Sequence, residues 1–162
     1  MISQSLLPEF EHELATTRKV LERLPEDKWT WKPHAKSMDL GSLATHVANL
    51  ANWMAVTINV PELDLPPGFK MELLANRADL LAFFDREAAA AKAALAGCSD
   101  ESMMQPWTLK VAGHAVFTMP RVAVIRSMVM NHLIHHRAQL ALYLRLNDVP
   151  VPSMYGPSAD EQ

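Results

Sequence analysis

The sequence holds a single cysteine, Cys98. No internal disulfide can close, and the composition suits a reducing cytosol. Cys98 lies in Ala96-Gly97-Cys98-Ser99. No adjacent histidine or basic residue is there to activate a thiol, so it reads as a packed side chain at a helix end. No apolar run approaches the roughly 20 residues that a bilayer-spanning helix needs. The segment Met1-Ile2-Ser3-Gln4 lacks the basic start and apolar core of a signal peptide, so a cytoplasmic location is expected. Positive charge is not in excess: 15 basic residues against 18 acidic ones leave a net charge of -3. That balance makes no electrostatic case for nucleic acid or an anionic membrane as a partner. Internal repeats and low-complexity tracts are also missing.

What is present is a globular composition, 49% apolar and 20% charged, which excludes a disordered chain. With 162 residues, the chain is expected to form one domain, 1–162, with a real core. Prolines punctuate it, and the stretches between them are mostly helical in pattern. The first runs from about Ser5 to Arg23, with Leu6, Phe10, Leu14, Thr17, Leu21 and Leu24 on one stripe and Pro8 in the first turn. A loop from Pro25 to Met38 carries Trp29 and Trp31, whose alternation suits an extended piece laid on the core. The second helix spans about Leu40 to Asn59, capped by Asp39 or Ser37. Residues 60–70 form a Pro-rich connection, and the third helix runs from about Glu72 to Ala96, stopped by Gly97. Two β-prone runs, Trp107–Val111 and Ala115–Met119, flank Ala112-Gly113-His114 and read as a hairpin. The fourth helix, Arg121 to Asn147, contains no Gly or Pro. The tail from Val149 to Pro157 cannot be helical and is expected to pack across the helices. The pattern predicts an all-α fold, an up-down four-helix bundle with a small β-hairpin between helices three and four.

Three of the seven histidines fall in Asn131-His132-Leu133-Ile134-His135-His136-Arg137. Residues four apart share a helix face, so His132 and His136 can aim two imidazoles at one point. On helix two, His46 shares its face with Leu43, Leu50, Trp53 and Asn49, so it too points inward. Imidazoles in an apolar core are costly unless each finds a partner, and three of them together point to a metal. Three protein ligands leave a position open, as in catalytic sites, whereas a structural site takes four. A competing register pairs His132 with His135. The apolar positions Ile125, Met128, Val129 and Tyr143 favour His132 and His136, with His135 flanking. Gln139 and Asn49 can accept the second ring N–H of His136 and His46. Trp53, Tyr143 and Tyr155 are candidate pocket walls. His12, His34 and His114 lack support as ligands. Leu133 follows His132, so the His-Glu-x-x-His peptidase motif is absent, and no carboxylate offers itself as a general base. The site therefore reads as that of a divalent-metal-dependent enzyme, and the alternative is a non-catalytic metal-binding protein.

Two blocks carry a resemblance. Leu40-Gly41-Ser42-Leu43-Ala44-Thr45-His46-Val47-Ala48 and Asn131-His132-Leu133-Ile134-His135-His136-Arg137-Ala138-Gln139-Leu140 resemble the motifs of DinB-like (damage-inducible, YfiT-like) proteins. The tail Val149 to Asp160 is similar to theirs as well. The resemblance implies an up-down four-helix bundle, often a homodimer, with a divalent metal held by His46, His132 and His136. Nickel or zinc is the implied metal, with iron or manganese also possible. It further implies a small-molecule transferase or hydrolase, with a low-molecular-weight thiol as co-substrate, or else a non-catalytic metal-binding protein of the stress response. Arg121, Arg126 and Arg137 are the candidates for holding the charged groups of such a thiol.

Overall fold

The structure, a computed structural model, describes residues 1–162. It is mostly helical. Helix α1 spans Ile2–Glu22 and α2 spans Leu40–Asn59. A short strand β1, Glu62–Leu65, precedes α3, Arg77–Gly97, and the one-turn helix α4, Asp100–Met104. Strands β2, Pro106–Val111, and β3, His114–Pro120, lead into the last helix. That helix is one unbroken right-handed run in three parts: α5 (Arg121–Val124), a π-helical segment (Ile125–Asn131) and α6 (His132–Leu146). No helix is long and apolar enough to cross a membrane.

Short polar side chains set the helix starts. Asp39 accepts the Ser42 amide at 2.7 Å and Asn76 accepts the Asp79 amide at 2.8 Å, each satisfying a donor with no partner inside its helix. The Asn76 cap moves the start of the third helix from the expected Glu72 to Arg77 and leaves Leu73 and Leu74 in the loop before it. Helix α1 starts earlier than its apolar stripe suggested. Its first amide, on Ile2, donates to Asp100 at 2.6 Å, a cap supplied from α4. Pro8 thus lies inside α1 on its exposed side, not in the first turn.

Of the long helices, α1 and α2 each lie against both α3 and α6. Between them lies the main core, with Phe10, Leu21, Leu43, Met54, Phe84, Leu95, Val129 and Leu144 all sealed from solvent. The expected hairpin is present, β2 antiparallel to β3, with Ala112 and Gly113 both at positive φ at its tip. The Pro-rich connection is more than a connection, because its β1 adds parallel to β2 and completes a three-stranded sheet. A two-stranded hairpin is marginal alone, and this one gains a third strand and a buried anchor, Trp107. Trp107 and Leu109 pack with Val124 below Trp53 and Met128. The Pro25–Met38 loop is not extended throughout: Glu26–Lys28 form a 3-10 turn. Trp29 and Trp31 nevertheless pack against the main core, as expected. The tail is irregular and crosses the helices. Its Glu161 pairs with Arg23, and its Asp160 pairs with Arg145.

Candidate metal centre

Helix α2 carries His46 on its half-buried flank, beside the fully buried Leu43 and Leu50. Helix α6 opens with His132 and carries His136 one turn later. Because α2 packs on α6, the three rings meet. His46 Nε2 lies 3.3 Å from His132 Nε2, and His136 Nε2 lies 2.9 Å from His132 Nε2. One nitrogen from each of the three lies within 4.8 Å of the other two, with no carboxylate or thiol in the group.

The opposite ring nitrogens identify the tautomers. His136 Nδ1 is 2.7 Å from Gln139 Oε1, and His132 Nδ1 is 3.3 Å from the Met128 carbonyl oxygen. Both partners only accept, so each neutral ring carries its proton on Nδ1 and presents a bare lone pair at Nε2. Two lone pairs 2.9 Å apart repel unless a cation lies between them. Burial, followed by the neighbouring His136 and His132, pushes His46 down to about 4. Burial and His136 lower His132 too, against the opposing pull of the Met128 carbonyl. Neutral imidazoles with converging lone pairs are what a metal requires of its ligands. The spacings of His132 Nε2 from the other two fit as well. Nitrogens about 2.0–2.1 Å from one ion stand roughly 2.9–3.4 Å apart at interligand angles between about 90° and 110°.

The π-helical segment ends at this point. The His132 amide donates to Val129 O, and the ring reaches the Met128 carbonyl in the widened turn. Single π turns within α-helices often mark functional sites. Sequence periodicity contains no signal for this one, since the stretch reads as uninterrupted α-helix.

His135 lies outside the cluster. It is exposed, and its Nε2 sits 3.2 Å from the Gln139 side-chain nitrogen. Asn49 makes no hydrogen bond to His46; it lines a cavity of about 450 Å³ with Thr45, Leu74 and Phe83. Tyr143 is a wall, sharing a cavity of about 200 Å³ with His136, Gln139 and Met38. Trp53 lies 6.3 Å from Trp107, ring centre to ring centre, and joins the core to the sheet. Tyr155 is not at the centre: its hydroxyl donates to Glu13 at 2.7 Å. The three arginines are all engaged. Arg121 donates to the Thr57, Val60 and Ser102 carbonyls, and Arg126 pairs with Glu9. Arg137 is buried against Glu13 at 2.6 Å. His12, His34 and His114 are exposed and remote from the cluster.

Comparison with known proteins gives the family and the fold. The family model of the DinB superfamily matches residues 9–140. A DinB-like protein of Bacillus cereus shares the fold, with 18% identity over 94% of this chain and 97% of that one, at a TM-score of 0.70. A DinB-like protein of Bacillus subtilis, also 18% identical, covers 98% and 99% of the two chains at a TM-score of 0.69. No curated protein matches the sequence.

Proposed function

The chain belongs to the DinB superfamily, and we propose that it is a divalent-metal-dependent enzyme acting on a small molecule. The observation that carries this reading is the convergence of the His46, His132 and His136 Nε2 atoms, with acceptors at Nδ1 of both His132 and His136. His46, His132 and His136 would hold the ion. Nickel or zinc suits three imidazoles, with iron or manganese next. A bound ion would supply Lewis acidity, lowering the pKa of a nucleophilic water or thiol. The chain's own part is to set the ligands. Gln139 and the Met128 carbonyl hold two rings in the ligating tautomer. Three ligands and no fourth favour an open, catalytic site over a structural staple. The up-down four-helix bundle and a homodimer belong to the same reading.

Thiol transfer and hydrolysis are the two versions. Arg121, Arg126 and Arg137 are already committed to carbonyls and carboxylates, so they offer no anion site to a charged thiol. That weighs toward hydrolysis, or toward a thiol whose charges are met elsewhere. The test is metal analysis of protein purified without an affinity tag, beside His46→Ala and His136→Ala. The parent should carry metal near one per chain and both variants should lose it. Full metal in both variants would sink the site. The metal-loaded protein is then assayed with electrophiles plus thiols and with esters and amides. Turnover in neither assay would leave a non-catalytic metal-binding protein.

A further inference from the structure

The histidine outside the ligand set shares a partner with one inside it. Gln139 Oε1 lies 2.7 Å from His136 Nδ1, and Gln139 Nε2 lies 3.2 Å from His135 Nε2. A primary amide has one accepting end and one donating end. With its proton on Nδ1, His135 accepts the Gln139 N–H at Nε2 and reinforces this orientation, and the amide oxygen in turn holds the His136 proton on Nδ1. The half-buried Gln139 is held on both sides: His135 on the exposed flank, and His136 beside the cavity of about 200 Å³.

We infer that Gln139 and His135 are a pair of positioning residues that keep the His136 proton on Nδ1 and its Nε2 lone pair aimed at the metal position. Neither touches that position; each acts through His136. The inference rests on the three-histidine reading for its consequence, but the tautomer itself can be observed without metal. Partners of this kind typically change metal affinity by about 10- to 100-fold.

The experiment has two readouts. Zn2+ affinity is measured by competition with a chromophoric chelator. The His136 tautomer is read from ring 15N shifts of the metal-free protein. Gln139→Leu should bind Zn2+ about 10- to 100-fold more weakly and lose the pure Nδ1–H form of His136, while the metal-free melting temperature holds. Gln139→Glu restores the accepting oxygen and should recover both readouts. His135→Ala releases the amide and should cost less than Gln139→Leu. Parent-like affinity and an unchanged tautomer in Gln139→Leu would overturn the inference, as would failure of Gln139→Glu to rescue. If the parent itself binds no Zn2+, the metal reading falls. The tautomer then decides the inference: a change in Gln139→Leu supports it, and no change overturns it.

Discussion

At position 41 only a hydrogen fits. A Cβ on Gly41 would stand 2.4 Å from Trp29 Cδ1, and the Trp29 indole is held in place by its N–H to the Leu74 carbonyl at 2.9 Å. Gly41→Ala should therefore cost about 1–3 kcal/mol, as overpacking does. A lower denaturant midpoint with an unchanged slope is the expected result, and a parent-like midpoint would show that the indole can yield. Arg137 makes a second residue-scale case. It is fully buried, donates to the Glu13 carbonyl at 3.0 Å and the Thr17 hydroxyl at 3.2 Å, and meets the Tyr155 hydroxyl. Its sequence neighbours gave no warning of burial, because its partner lies in α1. Arg137→Leu leaves the Glu13 carboxylate buried with no counter-charge and only the Tyr155 hydroxyl as a partner, a loss of about 3–5 kcal/mol. Adding Glu13→Leu should recover part of that loss in the same denaturation experiment. A double variant no more stable than the single would refute the pairing as the cause.

Two elements invite tests. The hairpin tip places Ala112 at φ 51 and Gly113 at φ 79. Glycine takes this left-handed region freely, whereas alanine loses roughly 1–2 kcal/mol there. Asn-Gly is the favoured pair for such a two-residue turn. Ala112→Asn should raise stability by up to about 1 kcal/mol, seen as a higher melting temperature. The tail gives a pH dependence. Arg145, then the Val151 amide, holds the Asp160 carboxyl below its usual range; the Ser153 amide, then Arg23, does the same for Glu161. Carboxyls depressed in the folded state stabilise docking fully above their unfolded pKa of about 4. That contribution fades as pH falls through the lower folded values. The Val151 and Ser153 amide proton shifts should therefore titrate with midpoints below about pH 4. Midpoints at or above the ordinary carboxyl value would mean that the tail is not held by these bonds.

On the scale of the whole molecule, an ion bound only by the folded state adds stability by mass action, about 2.7 kcal/mol at a hundred times its dissociation constant. Zn2+ or Ni2+ should raise the melting temperature of the parent and leave His46→Ala unmoved. Equal shifts in both would place any binding elsewhere. His46, His132 and His136 were legible as a set because helical spacing aims i and i+4 at one point, and a core-facing histidine needs a partner. The π turn was not legible. It breaks the phase between Ile125–Asn131 and α6, so the apolar positions upstream of His132 were an unsound guide to register, although they pointed to the two rings that lie beside His46. The sequence by itself determined the helical stretches, the hairpin and the inward histidines, because those follow from local periodicity and turn chemistry. Only the tertiary structure decided that β1 joins the sheet, that Arg137 is buried on Glu13, and that Gln139 joins His135 to His136. Strand partners, buried charges and amide orientation depend on groups far apart in the chain or on a particular rotamer, and periodicity contains neither.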